Sequence, residues 1–380
     1  MTDSMAKEST WTTRGLARLL RSHPDEGWEA ASYMVQEGTP DERVAALQAL
    51  AGHPHAAERA VPLARDVLLA EPSESEAFWC LRVLVQAGYA AGPATDAARL
   101  FVDAESDLVA SCAAWALAEA GTSSEHLTSR AAAMTQSESA VAREFALWAS
   151  ARLGNAKVLR SVMDLAAKGP PARQAYALRA LEQLGPSATD AWPLLLDLLS
   201  GPEALPETTL HHAARALVRV APHDASADVR PLLSSGSAEV RTAAAATLAR
   251  LGASGGEVLQ ALEAGLTSSL PDVQIGALQG ALYLDSIPED WRIAIEGLVG
   301  GPPRISMMAR FALLAMGDEE MTRWAFERLD SFDARWQVRL GLALATRGDD
   351  RGIELLNRLS QHADWVVSSE AQLALAAATR

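Results

Sequence analysis

The sequence predicts an all-α fold, a stack of about ten helical hairpins, and three observations carry that expectation. A glycine closes an Ala/Leu-rich run at Gly52, Gly88, Gly121, Gly154, Gly185, Gly252, Gly317 and Gly348, at successive spacings of 36, 33, 33, 31, 67, 65 and 31 residues. The two long gaps are each about twice the others, so each hides one unit, with Pro222 and Ser286 standing near the missing glycines. Between the glycines apolar residues recur at helical spacing, and no segment shows the alternation of a half-buried strand.

In chain order, a less regular pair of helices comes first, Trp11–Arg21 and Gly27–Gln36, and residues 1–39 are expected to cap the array. Repeats fill 40–361. A period of about 33 residues holds two helices of roughly 12–15 residues and two turns. The first helix of each unit, here helix A, begins near Ser, Asp or Pro. Ser and Asp cap a helix, and Pro suits its first turn. It ends at Gly, which takes the left-handed conformation after a helix without strain. The clearest unit is SAEVRTAAAATLARLG over 237–252, whose apolar stripe is Val240, Ala243, Ala244, Leu248 and Leu251. SAVAREFALWASARLG ending at Gly154, ARQAYALRALEQLG at Gly185 and PDVQIGALQGALYL at Leu284 echo it. A second amphipathic helix, B, follows each glycine, as in AERAVPLARDVLLA (57–70), NAKVLRSVMDLAAK (155–168), ATDAWPLLLDLLS (188–200), GEVLQALEAGL (256–266) and DRGIELLNRLS (350–360). A lone helix, Ala363–Thr379, closes the chain, so 1–380 reads as one repeat domain with a C-terminal cap over 362–380. Trp365, Val366, Leu373 and Leu375 of that helix need cover. The edge is either a cap or a surface for self-association or a partner.

Val240, Arg241, Ala244, Leu248, Leu251 and Gly252 match the pattern Val-Arg, spaced Ala, then Ala-Leu-x-x-Leu-Gly. The chain thereby resembles the short HEAT-like repeats first associated with phycobilisome lyases, over nearly its whole length. The other units follow the pattern loosely, mostly without Arg at the second position. The resemblance implies a right-handed α-α superhelix and a binding surface, and leaves the ligand open. The Trp-Leu-Gly-Tyr pattern of tetratricopeptide arrays is missing.

Composition narrows the function. The net charge of −15 disfavours nucleic acid, whose affinity comes largely from Lys and Arg. A basic protein partner remains compatible with it. The basic stretch Arg130, Arg143, Arg152, Lys157, Arg160, Lys168, Arg173 and Arg179 is diluted by Glu144, Asp164 and Glu182. Lysine occurs only at Lys7, Lys157 and Lys168, which suggests a GC-rich bacterial genome. The start of the chain lacks a signal-peptide apolar core and no stretch has a membrane span's length, so a cytoplasmic, non-membrane protein is expected. Cys80 and Cys112 lie in apolar helical contexts at nearly equivalent repeat positions, which suggests buried thiols in place of a disulfide.

HEAT-like di-iron hydroxylases use His-Glu dipeptides, and none of the eight histidines here is followed by Glu. Glu207 and His211, four apart with His212 alongside, are a metal candidate that a solvated helix start explains equally well. There is no phosphate loop, no Gly-x-Ser-x-Gly and no Cys/His catalytic pairing. The reading is a non-enzymatic protein-interaction scaffold with no catalytic residue, metal or cofactor. The alternative is an enzyme on the same scaffold, resembling DNA glycosylases or the lyases. The expected binding surface takes the residue six before the glycine in four successive units, Arg82, Trp115, Trp148 and Arg179. At about 100° per residue this position lies opposite the core stripe, and Trp and Arg are enriched at binding hot spots.

Overall fold

The computed structural model describes residues 12–201 and 205–380. Trp11, the expected start of the first helix, lies outside them. Two compact units result, the first ending at Asn155 and the second running from Ala156 to Arg380.

The first unit contains α1 (Thr13–Ser22), α2 (Pro24–Glu37), α3 (Pro40–Ala51), α4 (Pro54–Leu69), α5 (Glu74–Ala87), α6 (Thr95–Arg99), α7 (Asp107–Glu119), α8 (Glu125–Met134) and α9 (Ala140–Arg152). The second contains α10 (Leu159–Lys168), α11 (Pro171–Leu184), α12 (Trp192–Ser200), α13 (Glu207–Val220), α14 (Ser226–Val229), α15 (Ala238–Arg250), α16 (Gly256–Leu266), α17 (Pro271–Ala281), α18 (Arg292–Leu298), α19 (Pro303–Ala315), α20 (Glu319–Glu327), α21 (Ala334–Thr346), α22 (Asp350–Leu359) and α23 (Trp365–Ala378). No strand occurs among the described residues. The A helices are α3, α5, α7 and α9 in the first unit and α11, α13, α15, α17, α19 and α21 in the second, each packed on the next A helix of its own unit. The B helices cover the other side. This is the helical-hairpin solenoid that the HEAT-like resemblance implies.

The punctuation is local chemistry. Ser139 and Ser237 accept hydrogen bonds from the N–H groups of Ala142 and Val240, and Asp318, Asp333 and Asp349 cap α20, α21 and α22 in the same way. Thr39–Glu42 and Ser73–Glu76 form reciprocal capping boxes. All but one of the periodic glycines have positive φ. Gly52, at φ −83, ends α3 in a right-handed conformation. At Gly121, Gly154, Gly252, Gly317 and Gly348 the next residue's N–H reaches back five residues, as Ala253 N–H to the Leu248 carbonyl at 2.8 Å. This closes the left-handed helix end with its orphan carbonyls bonded.

The Ala-rich α15 is buried around most of its circumference. A Cβ on Gly280 of α17 would stand 3.1 Å from the Cα of Ala246 of α15, so small residues let these two backbones approach. In the second unit, α23 does not end the stack as a free edge. Its Trp365 Nε1 donates to the Gln183 carbonyl (3.1 Å), Arg219 of α13 donates to its Glu370 and Ser369 (2.8 and 2.9 Å), and Arg380 donates to the Ala249 carbonyl (3.3 Å). The last helix thus crosses the C-terminal ends of α11, α13 and α15. Val366, Val367, Ala371, Leu373 and Ala374 are buried. The edge expected to be either a cap or a surface for self-association or a partner is largely covered by its own chain.

Candidate functional site

Of the expected ladder, Arg82, Trp115 and Trp148 fall in the first unit and Arg179 in the second. Trp115 and Trp148 are 1% and 3% exposed, so neither ring is on the surface. Both arginines are half-buried. The position lies opposite one core stripe on an isolated helix, but an A helix sits between two other A helices and its own B helix. α7 is accordingly buried from Val109 to Glu119. Trp115 packs against Phe145 with ring centroids 5.3 Å apart and donates Nε1–H to Glu119 Oε1 (3.1 Å). The Arg82 guanidinium lies 4.8 Å from the Trp115 ring and 5.3 Å from Phe145, a cation–π contact from the adjacent A helix. Arg82 and Trp115 do meet, as packing partners inside the unit.

Arg130, Arg143 and Arg152 of the basic stretch are likewise engaged. Arg130 pairs with Asp103, Arg143 donates to the carbonyls of Ser137 and Glu138, and Arg152 is buried with its Nη2 donating to the Tyr89 hydroxyl (2.7 Å). Burial pushes the Cys80 thiol above its ordinary range and that of Cys112 up to about 12, so both stay protonated.

A concave site forms in the second unit instead, where the A helices and α23 enclose a pocket of about 110 Å³. His211, Arg215 and Arg219 stand four residues apart on one face of α13 and line it. Glu182 comes from α11, Glu239 from α15, Asp272 from α17, Arg304 from α19, Trp336 and Arg339 from α21, and Glu370 from α23. Glu370 marks its buried end and holds Arg219 at 2.8 Å and Arg339 at 3.4 Å. Burial by itself raises the Glu370 pKa, but Arg339, Arg219 and Arg335 outweigh it and hold the carboxyl below its ordinary value. Glu182 accepts two hydrogen bonds from Arg215 (2.6 and 3.0 Å) and approaches His212 Nδ1 at 4.0 Å. Burial again opposes ionisation there, and Arg215, His212 and Arg219 carry the carboxyl well below the usual range. His212 itself is lowered by burial, against the pull of Glu182, and so favours its neutral form.

At the pocket's more open side, His211 Nδ1 lies 3.1 Å from Glu239 and 3.6 Å from Asp272. Glu207, the partner expected for His211 and His212 from its four-residue spacing, is exposed and does not line the pocket. The carboxylates that meet His211 sit 28 and 61 residues later, in the first turns of the next two A helices. No local spacing signals that meeting. A first-turn acidic residue in successive repeats was its only trace.

No protein-family model and no curated protein matches the chain. Among solved structures, the chain is similar to the complex of CpcE and CpcF of phycocyanin lyase from Nostoc sp. PCC7120. That match has 18% identity over 62% of this chain and 94% of that one, with a TM-score of 0.44. It is also similar to the UNC-45 chaperone, at 14% identity over 97% of this chain and 58% of that one, TM-score 0.42. Kap121p bound to Nup53p is 12% identical over 95% of this chain and 46% of that one, TM-score 0.34. No described helix is long and apolar enough to cross a membrane.

Proposed function

We propose that the chain is a non-enzymatic scaffold that binds another protein, and that the second unit's pocket receives a carboxylate of that partner. The observation that carries this reading is the charge inventory of the pocket. Arg215 is engaged by Glu182, and Arg219 and Arg339 by Glu370, whereas Arg304 lines the pocket with no ion-pair partner among the described residues. Arg304 is itself exposed, at the rim of the pocket, where its guanidinium is open to bidentate recognition of a carboxylate. The surrounding pairs are fixed by helices from all over the unit, so the site is preorganised. Glu182, Glu239, Asp272 and Glu370 interrupt its positive charge, which favours a protein over a phosphate backbone.

The test is affinity purification with mass spectrometry on wild type and on Arg304→Glu, with melting temperatures measured alongside. The reading expects a protein recovered by wild type and lost from the variant at an almost unchanged melting temperature. Undiminished recovery by Arg304→Glu, or enrichment of nucleic acid in place of protein, overturns it.

A further inference from the structure

We propose that His211, Glu239 and Asp272 form a binding site for a divalent transition-metal ion of the zinc class. This holds whether or not the pocket receives a partner's carboxylate. One ligand atom from each residue can be chosen so that all three lie within 4.8 Å of one another. Two of the separations, 3.1 and 3.6 Å, both involve the same nitrogen, His211 Nδ1. Ligands about 2.0–2.1 Å from a tetrahedral Zn²⁺ stand about 3.3 Å apart, so these distances already bracket the edge of such a coordination sphere.

The alternative occupant is a proton, and the arrangement suits it less well. An imidazole nitrogen carries at most one hydrogen and can bridge to one carboxylate, so the second faces neighbouring negative charge without a bond of its own. A cation placed among the three atoms satisfies the nitrogen lone pair and both carboxylates at once. Helix position accounts for Glu239 and Asp272 separately, because acidic residues suit a first turn. It does not account for their convergence on one nitrogen from two different helices. Neither carboxylate has an arginine ion-pair partner among the described residues, although Arg215 and Arg304 line the same pocket.

The site is held from behind. The His212 ring packs edge-on against His211 at 5.3 Å, and the nearby Glu182 is clamped by Arg215. Arg215 is neutralised by Glu182, and Arg219 and Arg339 are held by Glu370, so the two carboxylates that meet His211 face Arg304 alone. One imidazole and two carboxylates are a borderline donor set, which suits zinc and disfavours the hard, all-oxygen preference of calcium. With three protein ligands a tetrahedral ion keeps one position for water or an anion, and Arg304 lines the same pocket.

Isothermal titration of chelator-treated full-length protein with zinc chloride alone, near neutral pH, tests this directly. Wild type is expected to take up one zinc per chain. His211→Ala and the isosteric Glu239→Gln are each expected to weaken uptake more than about tenfold. Cobalt chloride is expected to give the visible absorption of a tetrahedral centre in wild type only. Should His211→Ala fold poorly, Glu239→Gln decides alone. Absence of uptake by wild type would leave the proton as occupant and overturn the proposal. Uptake unchanged in Glu239→Gln would place the metal on other histidines and overturn it equally.

Discussion

Arg82 in the first unit and Arg219 in the second meet different partners. In the first, Arg82 lies over Trp115 and Phe145, and an aromatic face meets the cation. In the second, Arg219 reaches a carboxylate 151 residues later, Glu370, and shares it with Arg339. Aromatic packing fills the space around Arg82. Ion pairs fix side chains without filling space as completely, and the second unit keeps a pocket between them. The repeat supplies one backbone to both, and what stands opposite each arginine decides whether the place becomes core or site.

The comparison is broken most forcefully by substitutions on the two sides of it. Glu370→Ala leaves Arg219 and Arg339 with a buried charge uncompensated and is expected to cost about 3–5 kcal/mol, read as a lowered denaturant midpoint. Trp115→Ala should cost about 3–5 kcal/mol through the cavity it opens, and adding Trp148→Ala should lower the melting temperature further. A double tryptophan variant with near wild-type melting would show that the first unit's rings are not core.

Acid sharpens the contrast. Glu182, Glu370 and His212 all have folded pKa values below their ordinary ones. For such groups the stabilisation is complete above the unfolded value and is lost as pH falls through the folded value. Loss should therefore begin below about pH 6.5 with His212 and deepen below the usual glutamate range. In the first unit Glu42, Glu76 and Asp96 shift in the same direction, but its histidine–carboxylate pair, His126 with Asp103, is exposed. Hydrogen exchange at stepped pH is expected to show the second unit's amides losing protection first. Equal loss in both units would remove the distinction.

The smallest effect is one in which the units should not differ. Ser139→Ala and Ser237→Ala each remove one N-cap hydrogen bond, and each should cost about 1 kcal/mol. A clear inequality in thermal melts would mean that the caps are not interchangeable parts of the repeat.

The sequence by itself determined what neighbouring residues decide. The Ser and Asp caps and the left-handed glycines mark where helices start and stop, because those preferences belong to a few consecutive backbone groups. The period then placed the A and B helices, and α16 runs over the Gly256–Leu266 read from the pattern. It also exposed the hidden units near Pro222 and Ser286. Tertiary structure decided the rest. Trp115 is buried because Arg82 and Phe145 from adjoining A helices cover it, and a wheel drawn on α7 alone contains neither. Trp365 is occupied because Gln183, 182 residues earlier, returns to it. His211 meets Glu239 and Asp272 only because three helices stack in register. A charge or ring is core, clamp or ligand according to what faces it, and in a solenoid the facing residue lies at least one repeat away.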